Sequence, residues 1–240
     1  MNADINAAIL EDVPTKRAPM YSPRKTALVA GVLYLLTFVS IPTLALYGPI
    51  HEANYVLSPG TDNAVFVGGI LEIIVALAGI GTAIVLYPVL KKQNEAVALG
   101  LVVSRVLEAS TMFLGVAFLL SVVTLRQDQA GADALPASHA LVALYDRIFL
   151  LGQSFMPAVN ALLLGSLLYQ SRLVPRVLPL LGFFGAALLV AGDIAVLFGL
   201  IGQHAPSTAL AAIPIALWEF SLGIYLVAKG FKSWTITAGI

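Results

Sequence analysis

Six apolar stretches, each near the roughly 20 residues an α-helix needs to cross the hydrocarbon core of a bilayer, constrain this chain more than any other feature. They run Thr26–Tyr47, Ala64–Pro88, Ala96–Leu125, Ala140–Tyr169, Val177–Ile201 and Thr208–Ala228. Turn-forming residues punctuate the gaps: Gly48-Pro49, Ser58-Pro59-Gly60, Pro88, Gly131 through Pro136, Pro175 and Pro179. Composition agrees. With 59% hydrophobic and 11% charged residues, against about 25% charged in an average soluble domain, there is too little polar surface to cover a soluble fold. The first stretch is no cleaved signal peptide, being long, holding Pro42 and lacking a small-residue cleavage site. The expected fold class is an all-α integral membrane protein. A bundle of six transmembrane helices occupies residues 24–230, between an N-terminal tail at 1–23 and a C-terminal tail at 231–240. The first tail reads as flexible, with Ile5–Leu10 as its candidate for a surface helix.

Basic residues orient the bundle, because Lys and Arg in short loops favour the cytoplasmic side. Lys16, Arg17, Arg24 and Lys25 precede the first stretch, Lys91 and Lys92 join the second to the third, and Arg172 and Arg176 join the fourth to the fifth. Lys229 and Lys232 follow the sixth, so ten of the 13 Lys and Arg residues fall on one side. The opposite loops, 48–63, 126–139 and 202–207, hold Arg126 alone. Both termini are therefore expected inside. A miscounted helix would scramble this segregation.

Several chemistries find no support. A formal net charge of zero argues against nucleic acid as a partner. The absence of cysteine excludes disulfides, thiolate catalysis and iron–sulfur ligation. No Gly-rich phosphate loop follows a strand, so no nucleotide-driven pump is indicated. Gly79, Gly81, Gly182, Gly185, Gly192 and the Gly199-x-x-Gly202 pair read as close helix-packing points. Ser154 and Ser171 have no visible base to activate them. His51, His139 and His204 all fall on the outer side, but none has spacing of the H-E-x-x-H kind, and no metal ligands are assigned.

Seven ionisable residues lie within the apolar stretches: Glu72, Arg105, Glu108, Asp146, Arg147, Asp193 and Glu219. Each costs on the order of 2.5–3.5 kcal/mol at a helix centre on insertion scales, so each should face the bundle interior and find a partner. At about 1.5 Å per residue, Glu72 sits roughly 12 Å below the outer surface, Asp146 and Arg147 roughly 9–11 Å, and Glu219 roughly 17 Å. Glu108 and Asp193 also fall in the outer half, with Arg105 near the midplane. One polar chamber opening outward is the expectation. Five carboxylates face two guanidiniums there, which favours protonated carboxyls or a bound cation. Arg105 and Glu108 share a helix face at i, i+3. Arg147 is expected to neutralise a neighbouring carboxylate, leaving Glu72, Asp193 and Glu219 without obvious partners.

Asp146, Gln153 and Asn160, spaced by seven, line one face of the fourth helix, with Pro157 close to that face. Interhelical hydrogen bonding accounts for Gln153 and Asn160; a polar path leading inward is the alternative. Trp218, beside Glu219, reads first as core packing and second as an aromatic chamber wall. The candidate ligand-binding set is therefore the seven charged residues with Gln153, Asn160 and Trp218.

Three segments resemble a known family: Gly31-x-x-Tyr34-Leu35-Leu36-Thr37, Arg105-x-x-Glu108-Ala109 and Tyr169-x-Ser171-Arg172-Leu173-Val174-Pro175-Arg176. They are similar to the domain-of-unknown-function family numbered 4386, over about residues 24–230, and the Ser-Arg-Leu-Val-Pro-Arg turn is the most specific part. The resemblance implies a bacterial six-helix protein of the cytoplasmic (inner) membrane. It supplies no activity, cofactor or catalytic residue.

The expected partners are the lipid bilayer and a small ligand, cation or proton, as in a transporter or sensor. An intramembrane lipid-acting enzyme, with or without a metal, is the alternative, and a structural or accessory subunit whose buried charges fix helix pairing is the third. Neither the ligand nor the oligomeric state is legible.

Overall fold

A computed structural model describes residues 22–232. Most of the two expected tails, with Ile5–Leu10, Lys16 and Arg17, lies outside the described residues. Those described are helical, with no strand among them. The helices are α1 (Pro23–Leu36), α2 (Thr43–Leu46), α3 (Asn63–Leu90), α4 (Glu95–Gln127), α5 (Leu135–Phe149), α6 (Phe155–Ser171), α7 (Val177–Leu197) and α8 (Pro206–Ala228). They make six spans long and apolar enough to cross a membrane, with α1 and α2 sharing the first and α5 and α6 the fourth.

Two spans are broken where hydropathy reads straight through. The first was expected as one helix from Thr26 to Tyr47. Instead α1 tightens into a 3₁₀ turn at Thr37–Ser40, and α2 restarts after Pro42, whose ring cannot donate to the ladder. In the fourth span a π turn, Leu150–Ser154, separates α5 from α6. Pro157 lies just beyond it, so one more backbone donor is missing from the same stretch. Other expected breakers sit inside helices: Pro88 in the last turn of α3 and Pro179 in the first turns of α7. Pro136 lies at the start of α5, where a missing N–H costs nothing. The fifth span ends at Leu197, short of the expected Ile201, because Gly199 turns the chain at φ +69°. No atom lies near enough for Gly199 to be a packing point, which corrects that part of the sequence reading.

Each span packs on its sequence neighbours, and α8 closes on α1, so the six spans form a ring. Small residues permit the closest approaches. A Cβ at Gly185 would stand 2.7 Å from the Ile215 backbone of α8, and one at Gly31 would stand 2.7 Å from the Gly223 carbonyl. The lower end of the ring carries the basic turns. There Arg24 donates to the Leu226 and Val227 carbonyls at 3.2 and 2.8 Å, capping the C-terminal end of α8. At the other end Arg126 pairs with Asp62 at 2.9 Å, and Tyr55 donates to the same carboxylate at 2.7 Å. These bonds tie the loop between α2 and α3 to the end of α4.

The two ends are filled differently. Leu86, Leu101, Leu164, Leu168 and Leu226 belong to a dry core that plugs the basic half. Outward, every span presents large apolar side chains, among them Val32, Ile70, Leu107, Leu162, Phe184 and Leu217, each at least half exposed. A soluble protein rarely shows so continuous an apolar surface; lipid covers it here.

Candidate functional site

The unplugged half of the ring encloses a cavity of about 770 Å³, within the range of small-molecule sites. Its walls are mostly apolar: Phe38, Ile41 and Leu44 from the broken first span, Val75 and Ala76 from α3, and alanines of α8. Polar groups gather at two levels, a floor deep in the bundle and a mouth at the end where His51 and His204 lie.

Arg105 organises the floor. It lies ten residues into α4, about 15 Å along the helix, so a long side chain there reaches across the ring. Its guanidinium donates to Glu108 at 3.0 Å, to Glu219 of α8 at 2.9 Å and to the Tyr34 hydroxyl of α1 at 3.3 Å. Asn160 of α6 donates to Glu108 at 2.7 Å, and Ser104 donates to Asn160 at 2.7 Å. Four helices thus meet on one hydrogen-bonded cluster. Arg105 Nε alone is left without a partner in this cluster, and in low dielectric such an unpaired group is costly. Two carboxylates share one guanidinium, so the cluster carries one excess negative charge when all three ionise. Glu219 is the more open acid, with 15% of its side chain exposed against 7% for Glu108.

The remaining acids are dispersed, which corrects the expectation of one chamber lined by five carboxylates. Glu72 does not line the cavity. It is wholly buried behind Tyr47 and Tyr145 and accepts a hydrogen bond from Tyr145 at 3.2 Å. Its second oxygen has no partner. Asp193 of α7 accepts from Ser154 at 2.6 Å, and its other oxygen is likewise unpartnered. Arg147 is exposed and makes no ion pair among the described residues, so it does not neutralise a neighbouring acid as expected. Trp218 is fully buried and packs on Gly182 of α7 rather than lining the cavity.

The stripe on the fourth span keeps its inward aspect. Asp146 lies at the mouth, Gln153 on the wall and Asn160 at the floor. Beyond Asn160, among the described residues, Ala161, Leu164, Leu167 and Leu168 of the same helix belong to the apolar core.

At the mouth, Asp146 of α5 faces two imidazoles. His51 Nε2 is 3.0 Å from Asp146 Oδ1, and its Nδ1 is 2.8 Å from the Tyr47 carbonyl oxygen. A carbonyl and a carboxylate only accept, so both ring nitrogens serve best as donors. The Asp146 hydrogen bond accordingly pushes the His51 imidazole up from its ordinary value, against the opposing pull of burial and with help from the Tyr47 carbonyl. His204 Nε2 lies 3.9 Å from the same Asp146 oxygen, and its ring centroid is 5.2 Å from that of His51. Gln203 donates to the Asp146 carbonyl at 2.9 Å, fixing the α7–α8 loop against α5. The sequence reading placed all three histidines at this end, weighed them with nearby carboxylates as a zinc site, and assigned no ligands. His139 indeed stands apart, bonded to the Ala53 carbonyl at 2.8 Å.

A family model described as "Domain of unknown function (DUF4386)" matches residues 29–230, and the chain belongs to that family, as the three motifs implied. No curated protein and no solved structure matches it.

Proposed function

We propose that this member of a multi-pass membrane family binds a small cation with an apolar body in the cavity, with Glu219 as its counter-charge. The observation carrying this reading is the floor cluster: one guanidinium, two carboxylates, and an acid left facing a largely apolar space. A cation placed there completes the charge balance. The apolar walls would desolvate it and strengthen the attraction. The dry plug below favours binding or sensing in this conformation, and transport would require the plug to part.

The surrounding assignments belong to the same proposal. The basic end faces the cytoplasm and the histidine end faces outward, in a bacterial inner membrane. Residues 24–230 act as one transmembrane unit, and both tails lie inside.

Tetraphenylphosphonium is a suitable probe, with neutral triphenylphosphine oxide as its comparator. Equilibrium dialysis of the purified chain in detergent should show saturable binding of the cation, and weaker binding of the oxide. Glu219→Gln should weaken the cation about tenfold, equivalent to about 1.4 kcal/mol, and leave the oxide unchanged. Equal cation affinity in a folded Glu219→Gln variant would sink the reading, as would the absence of saturable binding.

A further inference from the structure

We propose that His51, Asp146 and His204 form a binding site for a divalent transition-metal ion, zinc foremost, at the mouth of the cavity. The three residues come from separate elements: the 3₁₀ turn Pro49–His51, α5, and the loop between α7 and α8. One ligand atom from each lies within 4.8 Å of the other two. Ligands at about 2.1 Å around a tetrahedral zinc stand about 3.4 Å from one another. The observed 3.0 Å and 3.9 Å separations from Asp146 Oδ1 bracket that value. Two imidazoles and one carboxylate are also the donor types that zinc and its first-row neighbours accept.

The supporting contacts are those a metal site needs. Nδ1 of His51 donates to the Tyr47 carbonyl at 2.8 Å, which orients the ring and leaves Nε2 to bind a metal once its proton is released. The Gln203 bond to the Asp146 backbone holds the next residue, His204, beside α5. A simple ion pair between His51 and Asp146 gives His204 no part to play. At 3.9 Å its Nε2 is too far from the carboxylate to be hydrogen-bonded, and two protonated imidazoles side by side would repel. A shared metal ion accounts for all three positions. His51 and His204 both line the cavity, so a metal held by them would stand at its mouth.

The site is separate from the floor cluster, and its test does not depend on cation binding there. The chain is purified in detergent with a tag lacking histidine, stripped with chelator and titrated with zinc chloride in a calorimeter. The unmutated chain should bind one equivalent of zinc with proton release, and cobalt(II) in its place should give the strong visible absorption of tetrahedral coordination. His204→Ala should weaken zinc at least about tenfold, as lesser changes around metal sites do. His139→Ala, a histidine at the same end outside the group, should leave zinc binding intact. Because His204 is 63% exposed, its replacement should not alter unfolding of the metal-free chain. Failure of the unmutated chain to bind stoichiometric zinc overturns the proposal. So does a weak, octahedral cobalt spectrum, or a His204→Ala variant with unchanged affinity.

Discussion

Arg105 holds two acids that sequence reasoning could connect to it only in part. Its pairing with Glu108 was legible, since i, i+3 on one helix brings the side chains together whatever the tertiary fold. Its pairing with Glu219 was not, because the rotation of α8 against α4 is set by which small residues let helices approach. The same gap explains why Arg147 and Trp218, equally prominent in the sequence, turn away from the cavity. With only 5% of its side chain exposed, Arg105 is the residue whose removal should cost most. Arg105→Met should destabilise the chain by about 3–5 kcal/mol, because two carboxylates are left buried without compensation. Combining it with Glu108→Gln and Glu219→Gln should recover much of that loss. Unfolding in mixed micelles, followed by circular dichroism, measures both.

At the scale of elements, hydropathy gave six spans and most of their ends to within a few residues. It missed the breaks because it counts apolar side chains and is blind to the hydrogen-bond register of the backbone. The π turn shows the difference: Leu150–Ser154 is as apolar as its flanks, yet it brings Gly152 against α4. A Cβ at Gly152 would overlap the Thr111 side chain. Gly152→Ala should therefore lower stability by about 1–3 kcal/mol through overpacking, and Thr111→Ala in the same chain should restore part of it. The thermal midpoints of the two variants decide this. A Gly152→Ala chain as stable as the parent would mean that α4 and the turn can separate freely.

For the whole molecule, the segregation of basic residues was the most informative long-range signal: it agreed with six crossings, which the structure has, and it is the ground for the orientation proposed above. What it could not supply was proximity. His51 and His204 are 153 positions apart, and only closure of α8 onto α1 brings their loops side by side. Because the chain has no cysteine, single introduced thiols report its orientation directly. Ala130→Cys at the histidine end should react with a membrane-impermeant maleimide on intact cells. Gln170→Cys at the basic end should react only after permeabilisation. The reverse pattern would turn the bundle over.

The Arg24 bonds to the last carbonyls of α8 join the first helix among the described residues to the last. Until α8 has been synthesised and inserted, the ring stands open on one side. The floor cluster lacks Glu219, and α1 has lipid where its partner belongs. A chain of five spans therefore holds Arg105 and Glu108 without Glu219, and the cavity lacks the wall that α8 supplies. Assembly of the site is therefore gated by α8: the floor cluster and the ring close only when that span has joined α1.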